Sequence, residues 1–368
     1  MYRSDVYKFN EPIDTEFERI YGLFSQSQLV FDSQFKQGCF NFFAQHNNAQ
    51  DHWELHDHFF ENLGPLWYKI ESRRMIIFPK EHVEKIFDTV LEIVYEWESN
   101  NAPNTIHKGT IYYFYGVVCI LNGEIEKGCL LMHQASNEDG NLNRVGTPSK
   151  SFISLNDLNT KQFFKNKVTT TVSFLKTFID SYNSITNSSF DISDLRRDFL
   201  TKDEYEEKAF FFIFCIYKLE NMYHRIHKKI KSNQLASFIE TTIIFEFCKL
   251  FESILCKYYP GKLINSIPSF CSDPAVSLRI EKRDLEILNH DQKTDFANVV
   301  TGLLNKSYQN PLLIQSPSDM ECDLALVYVL RNFGGHRIQN HDVIRDNFEP
   351  LMNATLHSII LVIDKKYS

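Results

Sequence analysis

The chain has 368 residues, with 39 Lys and Arg against 47 Asp and Glu, a formal net charge of −8. That balance argues against a general nucleic-acid coat protein, whose affinity rests on excess positive charge. Phe is frequent (32) while Gly (13) and Pro (11) are scarce, which favours helices over a turn-rich β fold.

The length suits two domains better than one small core. No apolar run reaches the roughly 18 residues of a membrane span. Residues Met1 to Lys8 lack the apolar core of a signal peptide, so the expected location is cytoplasmic, with no membrane contact. Cysteines fall at 39, 119, 129, 215, 248, 256, 271 and 322, with no Cys-x-x-Cys pair. Their apolar neighbours point to reduced, buried thiols instead of a zinc ribbon or disulfide framework. Residues 1–200 hold 19 Lys and Arg against 26 Asp and Glu, whereas 201–368 hold 20 against 21. The acidic excess therefore lies in the first half, and a local basic patch in the second half can still meet an RNA.

Residues 11–62 read as helices with loops. His52 and His56, four apart, can share a helix face as metal ligands. No Glu follows His52 as a zinc-protease motif requires, and a solvated polar face is the preferred reading. Residues 79–99 form an amphipathic helix, with Pro79 near its start and Val83, Ile86, Phe87, Val90, Leu91, Val94 and Tyr95 on one face. Residues 109–136 then read as a helical hairpin turning at Asn122-Gly123. Its small residues Gly116, Gly128 and Ala135 are spaced as two closely approaching helices require. The hairpin resembles one tetratricopeptide repeat, and a generic helical hairpin fits equally well. Neither reading gives the N-terminal region any chemistry.

Turn formers fill 137–159, from Asn137-Glu138-Asp139-Gly140 to Gly146-Thr147-Pro148-Ser149. The expected organisation is an N-terminal helical-repeat-like domain at 1–155, a connecting helix and linker at 156–200, and a helical bundle at 201–368. Residues 160–182 form the connecting helix, and Asn183 to Asp194 a polar linker. A helix from Glu204 to Lys231 starts acidic and ends basic, which suits its dipole. Its end carries Tyr223, Arg225, Lys228 and Lys229. That run suits an RNA backbone, with Tyr223 stacking on a base, or is simply a solvated helix terminus. Residues 234–259 form the longest apolar helix. A charged helix from Arg279 to Leu288 and an apolar one from Phe296 to Lys306 follow, then a helix start capped by Ser318 or Asp319. The last helix, about Val343 to Lys365, contains Pro350 as a kink or as its true start.

The sharpest feature is Leu330-Arg331-Asn332-Phe333-Gly334-Gly335-His336. It follows the apolar run Leu324 to Leu330, at a helix end. Arg offers a fixed fork of donors for a phosphate, and His moves a proton near neutral pH. The stretch resembles the R-x4-6-H motif of the HEPN superfamily, all-helical domains of which many are metal-independent RNases of toxin–antitoxin, anti-phage and RNA-surveillance systems. Asn332 matches the polar residue usual after the arginine. The resemblance covers roughly the last 170 residues, and only this motif is sharp.

What it implies is an all-α chain ending in a HEPN-like bundle, and a metal-independent endoribonuclease of bacterial defence or toxin-like type. No cofactor and no metal are expected. Arg331, Asn332 and His336 are the implied catalytic set, with His336 as general base or general acid. Arg337, His341 and Arg345 would widen the phosphate-binding surface, alongside Arg225, Lys228 and Lys229. The long helix before the motif often carries an acidic residue facing the site in this family. Glu246 and Glu252 are the candidates, and Glu252 lies nearer the apolar stripe. Partners would be RNA, a second copy in a homodimer with a composite site, and a trigger or regulatory partner at the N-terminal domain. The competing expectation is a catalytically inactive adaptor or nucleotide- or RNA-binding module.

Overall fold

The computed structural model describes residues 33–61, 80–143, 147–156, 162–223, 234–308, 316–334 and 341–367. Among them the architecture is all-α. Among the described residues the sole strand-like pairing is an isolated bridge between Asn48 and Thr105, and no helix there is long and apolar enough to cross a membrane. The chain divides into two compact units, Met1–Phe152 with Asn156–Val168, and Ile153–Leu155 with Thr169–Ser368.

The first unit contains α1 (Ser33–Gln45), α2 (Ala49–Glu61), α3 (Lys80–Asn100), α4 (Gly109–Asn122), α5 (Ile125–Asn141) and α6 (Pro148–Ile153). Its core is aromatic: Phe43, Phe60, Phe87 and Tyr115 are fully buried, and Phe87 stacks on Tyr115 with centroids 4.9 Å apart. The closest packing is between α4 and α5. A Cβ on Gly116 would lie 2.9 Å from the Gly128 carbonyl oxygen, and one on Gly128 would lie 2.5 Å from Ile120 Cγ1. The hairpin closes because neither position carries a side chain. Helix α5 runs on through Asn137–Asn141, where turn formers predicted a break. Its polar residues Ser136 and Asp139 are buried against partners, so the helix continues where the sequence alone reads as a loop.

Helix α7 (Gln162–Thr186) belongs to the first unit up to Val168 and to the second from Thr169. The second unit adds a short α8 (Ile192–Leu195), a π turn (Arg196–Leu200), a 3-10 turn (Asp203–Tyr205) and α9 (Glu206–Met222). Then come α10 (Gln234–Leu255), α11 (Leu263–Cys271), α12 (Lys282–Leu304), α13 (Asp319–Gly334), α14 (His341–Asp346) and α15 (Phe348–Lys366). Asp191 opens α8 with a capping box, within the stretch read as a linker. The two helices expected from Arg279 to Leu288 and from Phe296 to Lys306 meet at a kink within α12, directly before Phe296. Its break at Asp295 is held by the Asp295 carboxylate accepting the Asn298 N–H at 3.0 Å. The last helix begins in earnest at Phe348, with Pro350 in its first turn, and the residues before it make the separate α14. Helix α10 is the hub: Ile244, Phe247, Cys248, Leu250, Phe251, Ile254 and Leu255 have no exposure, and it packs on α9, α13, α14 and α15. All eight cysteines are free, and every one but the half-buried Cys256 is buried.

Candidate functional site

Helix α13 carries Arg331 and Asn332 of the motif, and both of its ends are fixed. At the start, Ser318 and Glu321 close a capping box: the Ser318 N–H donates to Glu321 at 2.7 Å, and the Glu321 N–H donates to the Ser318 hydroxyl at 3.2 Å. Arg279 also grips Glu321, its Nη2 2.8 Å and its Nε 3.1 Å from the carboxylate. Burial alone would raise the Glu321 carboxyl, but the Arg279 guanidinium and the backbone N–H donors reverse this, down to about 2. Leu324, Val327, Val329 and Leu330 are then fully buried. At the other end the Phe333 ring stacks on Phe296 of α12, centroids 3.7 Å apart. The last turn therefore has little freedom to rotate.

Arg331 lies in that last turn. Its Nε donates to Glu252 Oε2 at 2.8 Å and its Nη2 to Oε1 at 3.2 Å, a two-point fork onto α10. The Arg331 side chain stays 40% exposed and that of Glu252 26%, so the guanidinium is oriented yet open to a ligand. Glu246, the other acidic candidate, accepts from Lys218 at 2.7 Å instead. Asn332 points elsewhere and hydrogen-bonds the Tyr328 hydroxyl one turn back. Beneath Arg331, burial pushes the Cys248 thiol up to about 12, with a hydrogen bond to Thr355 acting against it.

The remaining predicted residues divide as follows. Arg345 of α14 is tied to acidic neighbours on its own helix, its Nη1 2.9 Å from Asp342 and its Nε 2.9 Å from Asp346. His341 opens α14, but its side chain lies outside the described residues, as do His336, Arg337, Arg225, Lys228 and Lys229. Tyr223 donates its hydroxyl to Glu349. The structure thus joins Arg331 with Glu252 and directs Arg345 to other partners. A half-open pocket of about 50 Å³, lined by Ile280, Leu288, Leu303, Tyr308, Cys322 and Ala325 among others, adjoins the opposite end of α13 from Arg331. That pocket does not include Arg331.

A polar cluster in the first unit went unread in the sequence. The His107 imidazole, fully buried, lies between Asp57 of α2 and Asp139 of α5, Nδ1 3.0 Å from Asp57 and Nε2 3.3 Å from Asp139. Thr110 donates to Asp57 at 2.7 Å and Ser149 to Asp139 at 3.2 Å. His56 is equally buried, which overturns its assignment to a solvated face. Its Nδ1 accepts the His107 backbone N–H at 2.8 Å, so its Nε2 carries the proton and donates to the His46 carbonyl at 2.6 Å. Burial lowers His56 to about 4. Burial acts on His107 in the same sense, but the carboxylates of Asp139 and Asp57 outweigh it and raise that group. Both ring nitrogens of His56 are thus engaged, which leaves neither to ligate a metal together with His52. Gly109 is required beside them, because a Cβ there would lie 2.6 Å from the His107 ring. The usable signal was His107-Lys108-Gly109 set against an apolar helix with no solvent-facing role.

Of metal-ligating groups, Glu84, Cys119 and Glu124 bring ligand atoms within 4.8 Å of one another. The Lys127 ammonium, 3.2 Å from Glu84, already supplies a cation there. Another buried histidine, His357 of α15, holds Asp323 of α13 through Nδ1 at 2.8 Å. No family model, curated protein or solved structure matches the chain.

Proposed function

We propose that the chain is a metal-independent endoribonuclease of HEPN type, acting in bacterial defence or a toxin-like system. The observation that supports this most is the Arg331 guanidinium, held in the last turn of α13 by the two-point fork from Glu252 and still open to solvent. A phosphate approaching that edge meets an arginine whose orientation is already set, so less freedom is lost on binding. In the reaction, His336 takes the proton of a ribose 2′-hydroxyl. The resulting oxygen attacks phosphorus, and the 5′-oxygen leaves with a proton from the His336 of a second copy. Arg331 offsets the charge that builds on the phosphoryl oxygens. The products are a 2′,3′-cyclic phosphate and a 5′-hydroxyl. DNA, without the 2′-hydroxyl, is not cut by this route.

The test is RNA cleavage in EDTA by the full chain, beside His336→Ala and Arg331→Ala, with analysis of fragment ends. Wild-type cleavage to cyclic-phosphate ends, lowered by about 10²-fold or more in each variant, supports the reading. Equal cleavage by all three sinks it. A second reading rests on the same fork: a guanidinium spent on a carboxylate is also a tie between α10 and α13. On that reading the chain is an inactive adaptor or a nucleotide- or RNA-binding module. Retained RNA binding with no cleavage by any of the proteins selects it.

A further inference from the structure

Three tyrosines of the second unit converge just past the C-terminal end of α10. Tyr205 ends the 3-10 turn, Tyr258 lies in the turn after α10, and Tyr367 follows α15. The Tyr205 and Tyr367 centroids are 4.5 Å apart at 62°, and those of Tyr258 and Tyr367 are 5.0 Å apart at 81°. Phe199 backs both Tyr205 and Tyr367, at 6.2 and 5.3 Å. The rings are pinned by their hydroxyls: Tyr205 and Tyr258 meet at 2.8 Å, and Tyr367 donates to the Ile254 carbonyl at 2.9 Å. Glu204 adds a carboxylate beside the Tyr205 hydroxyl. Tyr205 and Tyr367 are buried and Tyr258 is 37% exposed, so the cluster opens to solvent on one side.

A cation occupies it. Lys257 Nζ lies 3.7 Å from the Tyr205 centroid, 5.8 Å from that of Tyr258 and 5.9 Å from that of Tyr367. Ring faces carry negative potential and attract such a charge, most effectively where several rings surround it. A primary ammonium is a poor match for this setting, because it is compact and strongly hydrated. An ammonium bearing methyl groups is weakly hydrated and presents apolar contact to every ring. Lys257 is exposed, and among the described residues no carboxylate lies within ion-pair distance of it, so little holds it there beyond the rings.

The geometry points to a binding site for a methylated ammonium group formed by Tyr205, Tyr258 and Tyr367, with Lys257 as a displaceable occupant supplied by the chain itself. This does not depend on the nuclease reading. The experiment titrates the full chain with tetramethylammonium, following amide shifts by NMR, and compares Lys257→Ala, Lys257→Gln and Tyr258→Ala with the wild type. Both Lys257 variants should bind on the order of tenfold more tightly than wild type, and Tyr258→Ala more weakly. Separate arms with choline and with N-trimethyl-lysine identify the source of the group. Failure of both Lys257 variants to bind tetramethylammonium overturns the proposal. So does binding that Tyr258→Ala leaves unchanged, or that sodium at equal concentration reproduces.

Discussion

Arg331 and Glu252 meet across 79 positions of sequence, and their pairing is partly solvated, so its worth is that of a well-aligned surface bridge. Glu252→Gln should lower stability by about 1 kcal/mol in urea unfolding. Under the nuclease reading it also lowers RNA cleavage by about tenfold, because Arg331 then samples other rotamers. A larger stability loss would mark the pair as structural first. The histidines of the first unit give a second residue-scale prediction, with opposite signs. His107 binds its proton more tightly folded than unfolded, so its contribution is complete below pH 6.5 and lost as pH rises through its raised folded value. His56 is lowered to about 4 from 6.5, so its contribution is complete above pH 6.5 and lost as pH falls towards 4, on the order of 3 kcal/mol in all. Thermal unfolding of the full chain across this range should peak between the two limbs. His107→Gln should flatten the alkaline limb, and His56→Gln the acid limb.

The α4–α5 hairpin gives the prediction at the scale of elements. Gly128→Ala places a methyl 2.5 Å from Ile120 Cγ1 and 2.9 Å from the Gly116 carbonyl oxygen, where backbone cannot yield. The expected cost is about 2–3 kcal/mol in thermal or urea unfolding. Gly140→Ala, in the same helix with nothing within 4 Å, is the control and should gain up to about 1 kcal/mol. This hairpin was legible in the sequence because small residues at the crossing of adjacent helices need no distant partner to be understood. The cap at Ser318 or Asp319 and the role of Pro350 as kink or start were legible only as alternatives, and the structure selects Ser318 and a helix start at Phe348. His56 and the run of α5 past Asn137 were not legible. Periodicity assigns polar side chains to solvent, and the partners that bury His56 and Asp139 lie far along the chain, at His107 and its neighbours. Glu246 and Glu252 could not be separated from sequence either. They sit on one helix, and only the packing of α9 and α13 against it sends Lys218 to the first and Arg331 to the second.

At the scale of the whole molecule, the second unit does not begin at its bundle. Leu175, Phe178, Ile179 and Tyr182 of α7 are buried, Thr171 donates to the buried Glu220 at 2.6 Å, and Tyr182 donates to Asp364 at 2.7 Å. Each such apolar side chain is worth roughly 1.5–3 kcal/mol, a large share of a marginal total. A fragment of 169–368 should therefore unfold cooperatively in urea, whereas 201–368 should not. Under the nuclease reading, RNA cleavage by that fragment above that of the full chain would show that the first half restrains the activity. The cysteines carry a consequence of a different kind. Cys39, Cys119 and Cys129 fall in the first unit, and Cys215, Cys248, Cys256, Cys271 and Cys322 in the second, all but Cys256 sealed from solvent. An alkylating pulse followed by intact-mass spectrometry then works as a two-channel clock. Cys256 reacts first, three further adducts date the opening of one unit, and four date the other.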